Sequence, residues 1–134
     1  MRKKHVISAI SVMIITVVTI LAVAAPRVFA NQSVSARYLK SSGNEIIVEL
    51  NVSSLPPPLI IIVQNLPPKT EIVHSAPKAE KYSPGKGVAK WLLKNIQSGK
   101  HLVSLELKDP IQAKVTGEIR YRDNSSQMIT IKIQ

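Results

Sequence analysis

The sequence predicts an all-β protein: a single β-sandwich of seven to eight short strands, preceded by an N-terminal hydrophobic export helix. Three observations carry that reading. Beyond Ala30 the apolar residues recur with period two, as in Ile46, Val48, Leu50 and Val52, and no stretch shows the 3.6-residue period of an amphipathic helix. Clusters of Gly, Pro, Asn, Asp and Ser separate these runs at regular spacing. The one long uncharged apolar run lies within Met1–Ala30.

Arg2, Lys3 and Lys4 open that first segment, Val6–Ala25 is apolar, and Val28-Phe29-Ala30 offers small residues for a signal peptidase. Ser8, Ser11, Thr16 and Thr19 dilute the run, and Pro26 breaks a helix before the cut. Cleavage after Ala30 is the expectation. The alternative is an uncleaved anchor, because about twenty apolar residues are enough to span a bilayer. In both cases the positive-inside rule keeps the basic start in the cytoplasm and puts the domain outside, secreted, periplasmic or at the cell surface. The chain has no cysteine, so a lipid-anchored lipoprotein is excluded and packing alone must hold an exported domain together.

The domain proper, Asn31–Gln134, is long enough for one core. It carries fourteen basic against eight acidic residues. Strand candidates follow in order. Val34–Leu39 is short and ends at the turn Ser42-Gly43-Asn44. Glu45–Val52 sets Ile46, Val48, Leu50 and Val52 against Ile47, Glu49 and Asn51. Three prolines, Pro56–Pro58, interrupt, since they lack ladder donors. Leu59–Val63 is apolar on both faces, as in a central strand. Thr70–His74 is a further strand, and Ser75–Gly87 reads as a loop rich in Pro, Lys and Gly.

Val88–Leu93 places Ala89, Trp91 and Leu93 on one face, with Trp91 as the largest core candidate. His101–Lys108 turns Val103, Leu105 and Leu107 inward, and Asp109-Pro110 closes it. The last third is a hairpin: Ala113–Arg122 with Val115, Ile119 and Tyr121 inward, the turn Asp123–Ser126, and a return strand with Ile129, Ile131 and Ile133 inward. Strands of this number and spacing describe an immunoglobulin-like sandwich.

The segments Leu66-Pro67-Pro68-Lys69-Thr70-Glu71-Ile72-Val73, Gly87-Val88-Ala89-Lys90-Trp91-Leu92-Leu93 and Asn95-Ile96-Gln97-Ser98-Gly99-Lys100 resemble the immunoglobulin-like repeats of prokaryotic cell-surface proteins and adhesins. Those repeats carry an LPxGxxxV … GxxxWxLxxLxxG pattern, and Lys69 stands where the pattern has glycine. The likeness runs over roughly Leu55–Gln134. It implies a structural or binding module and names no ligand.

Catalytic chemistry is poorly supplied. There is no Gly-x-Ser-x-Gly elbow, no His-Glu-x-x-His, no phosphate-cradling glycine loop and no cysteine nucleophile. His74 and His101 lack ligand spacing, and Asp123-Asn124-Ser125 has too few carboxylates for a calcium loop and reads as turn chemistry. The chain is therefore read as non-catalytic, with no cofactor and no metal. Nucleic acid is not an expected partner, because aromatic residues for base stacking are scarce. Asn31-Gln32-Ser33, Asn51-Val52-Ser53 and Asn124-Ser125-Ser126 match the glycosylation pattern, which matters only in a host that glycosylates exported asparagines.

Two functional readings remain. In the first, the chain is a structural or adhesive module acting through protein contact or self-association at the strand Ile60, Ile61, Ile62 and Val63, with either Ile60 and Ile62 or Ile61 and Val63 outward. In the second, it binds an anionic or glycan surface polymer through a basic loop of Lys78, Lys81, Tyr82 and Lys86, part of a lysine run continuing to Lys90, Lys94 and Lys100. Membrane contact is expected only through Val6–Ala25 if that run is kept.

Overall fold

A computed structural model describes residues 32–134; the expected export segment, its helix and Asn31 lie outside the described residues. Eight strands follow one another: β1 Val34–Val52, β2 Leu59–Asn65, β3 Ile72–Ala76, β4 Lys81–Ser83, β5 Val88–Lys94, β6 Gly99–Ile111, β7 Thr116–Arg122 and β8 Met128–Lys132. They form two antiparallel sheets, one of order β1-β6-β3 and one of order β4-β5-β2-β7-β8, which enclose a common core as a β-sandwich. Among the described residues there is no helix.

β1 is not straight. Nineteen residues in extended form would reach about 60 Å, yet the Ser53 N–H donates to the Ser33 carbonyl at 2.8 Å just beyond its two ends. Arg37 faces Glu49 at 2.9 Å, and Gly43 has φ +68°, a left-handed conformation that glycine adopts without a Cβ penalty. The strand therefore doubles back at Ser42-Gly43-Asn44, where the turn was expected. Its second arm pairs with β6, matching Val48 with Val103 and Ile46 with Leu105. Its first arm reaches across to the other sheet: the Tyr38 N–H donates to the Gln134 carbonyl at 2.7 Å, and the Gln134 N–H to the Ala36 carbonyl at 3.3 Å. One residue bracketing another in this way is the bond pattern of a parallel pair.

The period-two reading of the core holds. Ile46, Val48, Leu50 and Val52, then Val103, Leu105 and Leu107, then Val115, Ile119 and Tyr121 are all buried, with Ala89 and Trp91 between them. Among the described residues the members of the core run from Val34 to Ile133. Its one buried polar side chain, Gln64, is satisfied: the Tyr38 hydroxyl donates to Oε1 at 2.9 Å, while Nε2 donates to the Thr116 carbonyl at 3.0 Å and to the Asn65 carbonyl at 3.1 Å. Burial, partly offset by the Gln64 bond, raises the Tyr38 phenol above its ordinary pKa.

Three expectations of strand extent are corrected. Ser75–Gly87, expected as loop, contains the short strand β4, which hydrogen-bonds to β5 with Tyr82 opposite Ala89. The strand expected at Thr70–His74 lies at Ile72–Ala76, because the turn before it is longer. Asp109-Pro110 does not end β6, which continues to Ile111 opposite Gly43. A proline is tolerated where the ladder is already irregular, and the register does shift between Gly43 and Glu45.

The turn before β3 places Lys69 at φ +66°, with the Thr70 N–H on the Pro67 carbonyl at 3.3 Å. Such a turn requires a left-handed residue at its third position, the place where the LPxGxxxV pattern has glycine. Lys69→Gly is therefore expected to stabilise the domain by roughly 1 kcal/mol, read as a higher urea midpoint with unchanged slope; a lower midpoint would show that Lys69 makes a compensating contact.

Candidate functional site

Because β2 is the middle strand of the five-stranded sheet, its alternation decides what the outer face carries. Ile60 and Ile62 point into the core at 0% and 1% exposure. Leu59, Ile61 and Val63 therefore point outward, which settles the alternation left open for Ile60–Val63 in favour of Ile61 and Val63. Ile61 is half-buried. Val63 is buried without belonging to the core cluster, and the long side chains of Lys90 and Glu118 stand directly opposite it on either side. Stems of that kind cover apolar surface while their charges stay in water.

Register assembles the rest of the face in rows. One row runs Lys81, Lys90, Val63, Glu118, Lys132 across β4, β5, β2, β7 and β8. The next runs Leu92, Ile61, Arg120, Thr130. Lys94 stands opposite Leu59, and Arg122 opposite Met128. The result is an aliphatic strip along β2, joined by Leu92, with Lys81, Lys90 and Lys94 on one flank and Arg120, Arg122 and Lys132 on the other. Glu118 is the only carboxylate in these rows, and it is taken by Arg120, whose Nε donates to Oε1 at 2.6 Å. Among the described residues no salt bridge joins Lys81, Lys90, Lys94, Arg122 or Lys132 to an acid.

The opposite face of the sandwich is neutralised instead. Glu49 meets Arg37 at 2.9 Å and Lys100 at 4.0 Å, Glu45 meets Lys40 at 2.7 Å, and Glu71 meets Lys108 at 2.8 Å. The hydrogen bond and charge of Glu71 raise the Lys108 ammonium above its ordinary pKa. These exposed pairs add little stability. What they do is cancel charge, so the cationic excess is concentrated on one face. There Lys81 and Lys90 stand directly opposed, a like-charge pair that costs stability in a sheet. A sequence that breaks a local rule at one surface marks that surface as a place where something other than folding sets the residues.

Of the basic-loop residues, the structure brings Lys81 and Lys86 together and turns Tyr82 to the other side of the sheet. Lys81 lies on the cationic face and Lys86 in the β4–β5 turn; with Ser83, Val88 and Lys90 they line a shallow depression of about 210 Å³. Lys78 lies in the β3–β4 connection, three residues before β4 begins. Tyr82 is half-buried on the inward row opposite Ala89, and its hydroxyl donates to the Thr70 carbonyl. Burial and then the Glu71 charge raise its phenol above the ordinary pKa. Trp91 and Tyr121, at 2% and 3% exposure, belong to the core and form no stacking platform. The Asp123 carboxylate is engaged by its own turn, accepting from the N–H groups of Ser125 at 2.8 Å and Gln127 at 2.9 Å. His74 lies opposite Glu106, and His101 Nε2 lies 2.6 Å from the Gln97 carbonyl.

Period two in Ala113–Arg122 turns Arg120 and Arg122 away from Val115, Ile119 and Tyr121, but the sequence alone connects neither them nor Lys132 to the strip at Leu59–Val63. The phase of each strand was the available signal. What the sequence did not supply was the strand order that puts β7 and β5 on either side of β2.

Taken together, fold and face define a β-sandwich with one charged, partly apolar sheet surface, and among the described residues no three metal-ligating side chains converge. No family model, curated protein or solved structure matches the chain.

Proposed function

We propose that this chain is an exported, non-catalytic module of immunoglobulin-like type that works by contact, with the outer face of the five-stranded sheet as its contact surface and an anionic partner at the cell envelope. The single observation that carries the reading is the set of cations on that face with one acid among them, beside a neutralised opposite face. Protein contact through the β2 strand, the first sequence expectation, narrows to Ile61 and Val63. The flanking lysines and arginines favour a negatively charged partner for them.

The spatial order of the strands supports the immunoglobulin-like assignment. The order of β1, β6 and β3 corresponds to B-E-D, and that of β8, β7, β2, β5 and β4 to G-F-C-C′-C″. The first arm of β1 pairs with the second arm and also bridges to the end of the chain, so one segment links both sheets. The departure is in the middle. The chain fills the D position with β3 before it builds β4 and β5, the reverse of the variable-domain sequence.

Retention on cell-envelope material tests the proposal. Lys90→Glu with Lys94→Glu is expected to lower retention at least tenfold, given about 1 kcal/mol per cation near an anionic surface. Lys40→Glu with Lys108→Glu, which changes net charge equally on the other side, is expected to leave retention within about twofold. Equal losses from the two pairs would show that overall charge, and not this face, governs contact.

A further inference from the structure

We infer that the anionic partner of the five-stranded face is the headgroup surface of an anionic phospholipid bilayer, which the sheet meets broadside. The inference rests on the contact reading above and names its partner. Charge complementarity comes first: Lys81, Lys90, Lys94, Arg122 and Lys132 have no carboxylate partner among the described residues, and the only acid on the face is held by Arg120. Phosphates in a plane would resolve the repulsion between Lys81 and Lys90, since each ammonium gains its own counter-charge.

Shape and the apolar strip then separate a bilayer from a soluble polyanion. The face is five strands wide, about 19 Å at the usual strand spacing, and the depression of about 210 Å³ that it carries lies at its β4–β5 edge, to one side of β2. Along its middle run Leu59, Ile61 and Val63, with Leu92 at 39% exposure beside them and Met128 at 52% at the far end. A polyphosphate chain gains nothing from aliphatic side chains. At a bilayer, lysine and arginine heads sit at phosphate level while their stems and the aliphatic residues meet the acyl boundary. A glycan fits poorly, because Trp91, Tyr121 and Tyr82 all lie on the inward rows and leave the face without an aromatic platform.

The exported chain provides the test by co-sedimentation with vesicles. One arm uses phosphatidylglycerol and phosphatidylcholine in equal parts, a second uses phosphatidylcholine alone, and a third measures binding to soluble polyphosphate. Binding is expected to the anionic vesicles and not to the neutral ones, and to fall as salt is added. Lys90→Glu with Lys94→Glu is expected to weaken it by about 25-fold or more, about fivefold for each cation lost. Leu92→Ser, at an exposed position where folding is not at stake, is expected to weaken vesicle binding several-fold and leave polyphosphate binding unchanged. Ile61→Ser, with the fold checked by circular dichroism, should do the same. Equal binding to both vesicle types, or polyphosphate binding without vesicle binding, would overturn the lipid assignment. In the second case the contact proposal stands and its partner becomes a polymer. Loss of face dependence on envelope material would instead overturn the contact proposal itself.

Discussion

Gly87→Ala is expected to lower folding stability by about 2–4 kcal/mol, a large share of what a domain of this size has. Two costs combine. Gly87 has φ +68°, which costs a residue with a Cβ about 1 kcal/mol. The added carbon would also lie 2.1 Å from the Leu66 carbonyl oxygen and 2.9 Å from that of Pro67. Both are backbone atoms, so no side-chain rotation relieves the clash and the chain itself must shift, at a further cost of about 1–3 kcal/mol. That shift falls on the Leu66 N–H bond to the Gly87 carbonyl, 2.6 Å long, which holds the turn before β3 against the β4–β5 hairpin. Gly43→Ala separates the two costs: its φ is also +68°, but nothing lies within 4 Å of the added carbon. It is expected to lose only about 1 kcal/mol. Urea denaturation of both variants checks the difference, and equal losses would show that the close approach at Leu66 relaxes freely.

Trp91→Ala is the second large effect, with an expected loss of about 3–5 kcal/mol. Trp91 is among the largest fully buried side chains, and its indole Nε1 donates to the Pro77 carbonyl at 2.9 Å, with Ser75 Oγ at 3.3 Å. Removing it empties the space between the two sheets and takes the donor from a carbonyl in the β3–β4 connection. Trp91→Phe keeps most of the volume and loses the donor, so its loss is expected near 2 kcal/mol. The order alanine, then phenylalanine, then native in rising urea midpoint is the check. If phenylalanine were as damaging as alanine, the hydrogen bond rather than the packing would hold this region. The effect extends to the surface, because Lys90 and Leu92 flank Trp91 on β5 and take their outward direction from its inward one.

Much of the core was legible because it depends on phase alone. Alternation in Glu45–Val52, His101–Lys108 and Ala113–Arg122 names buried residues without knowledge of which strands touch. Leu59–Val63 was legible as central because both its faces are apolar. Strand ends were less so: three residues, Lys81–Ser83, carry no readable period inside a loop of Pro, Lys and Gly, and become a strand only through β5.

The candidate face was hidden for a different reason. It is made by non-local pairing, with Val63 between Lys90 and Glu118 although each is far away in sequence. Lysines close in sequence, such as Lys78, Lys81 and Lys86, drew attention as a loop. The sheet instead groups Lys81, Lys90 and Lys94 with Arg120, Arg122 and Lys132. The direction of Tyr82 has the same cause: β4 pairs with β5 in the register that turns Tyr82 inward and Lys81 outward.

Amide hydrogen exchange, with the protein free and then bound to envelope material, tests the contact face most directly. Added protection is expected along Leu59–Asn65, Val88–Lys94 and Thr116–Arg122, with the exchange of Gly99–Ile111 unchanged. Protection confined to β6 and the second arm of β1 would place the contact on the neutralised face and contradict the account.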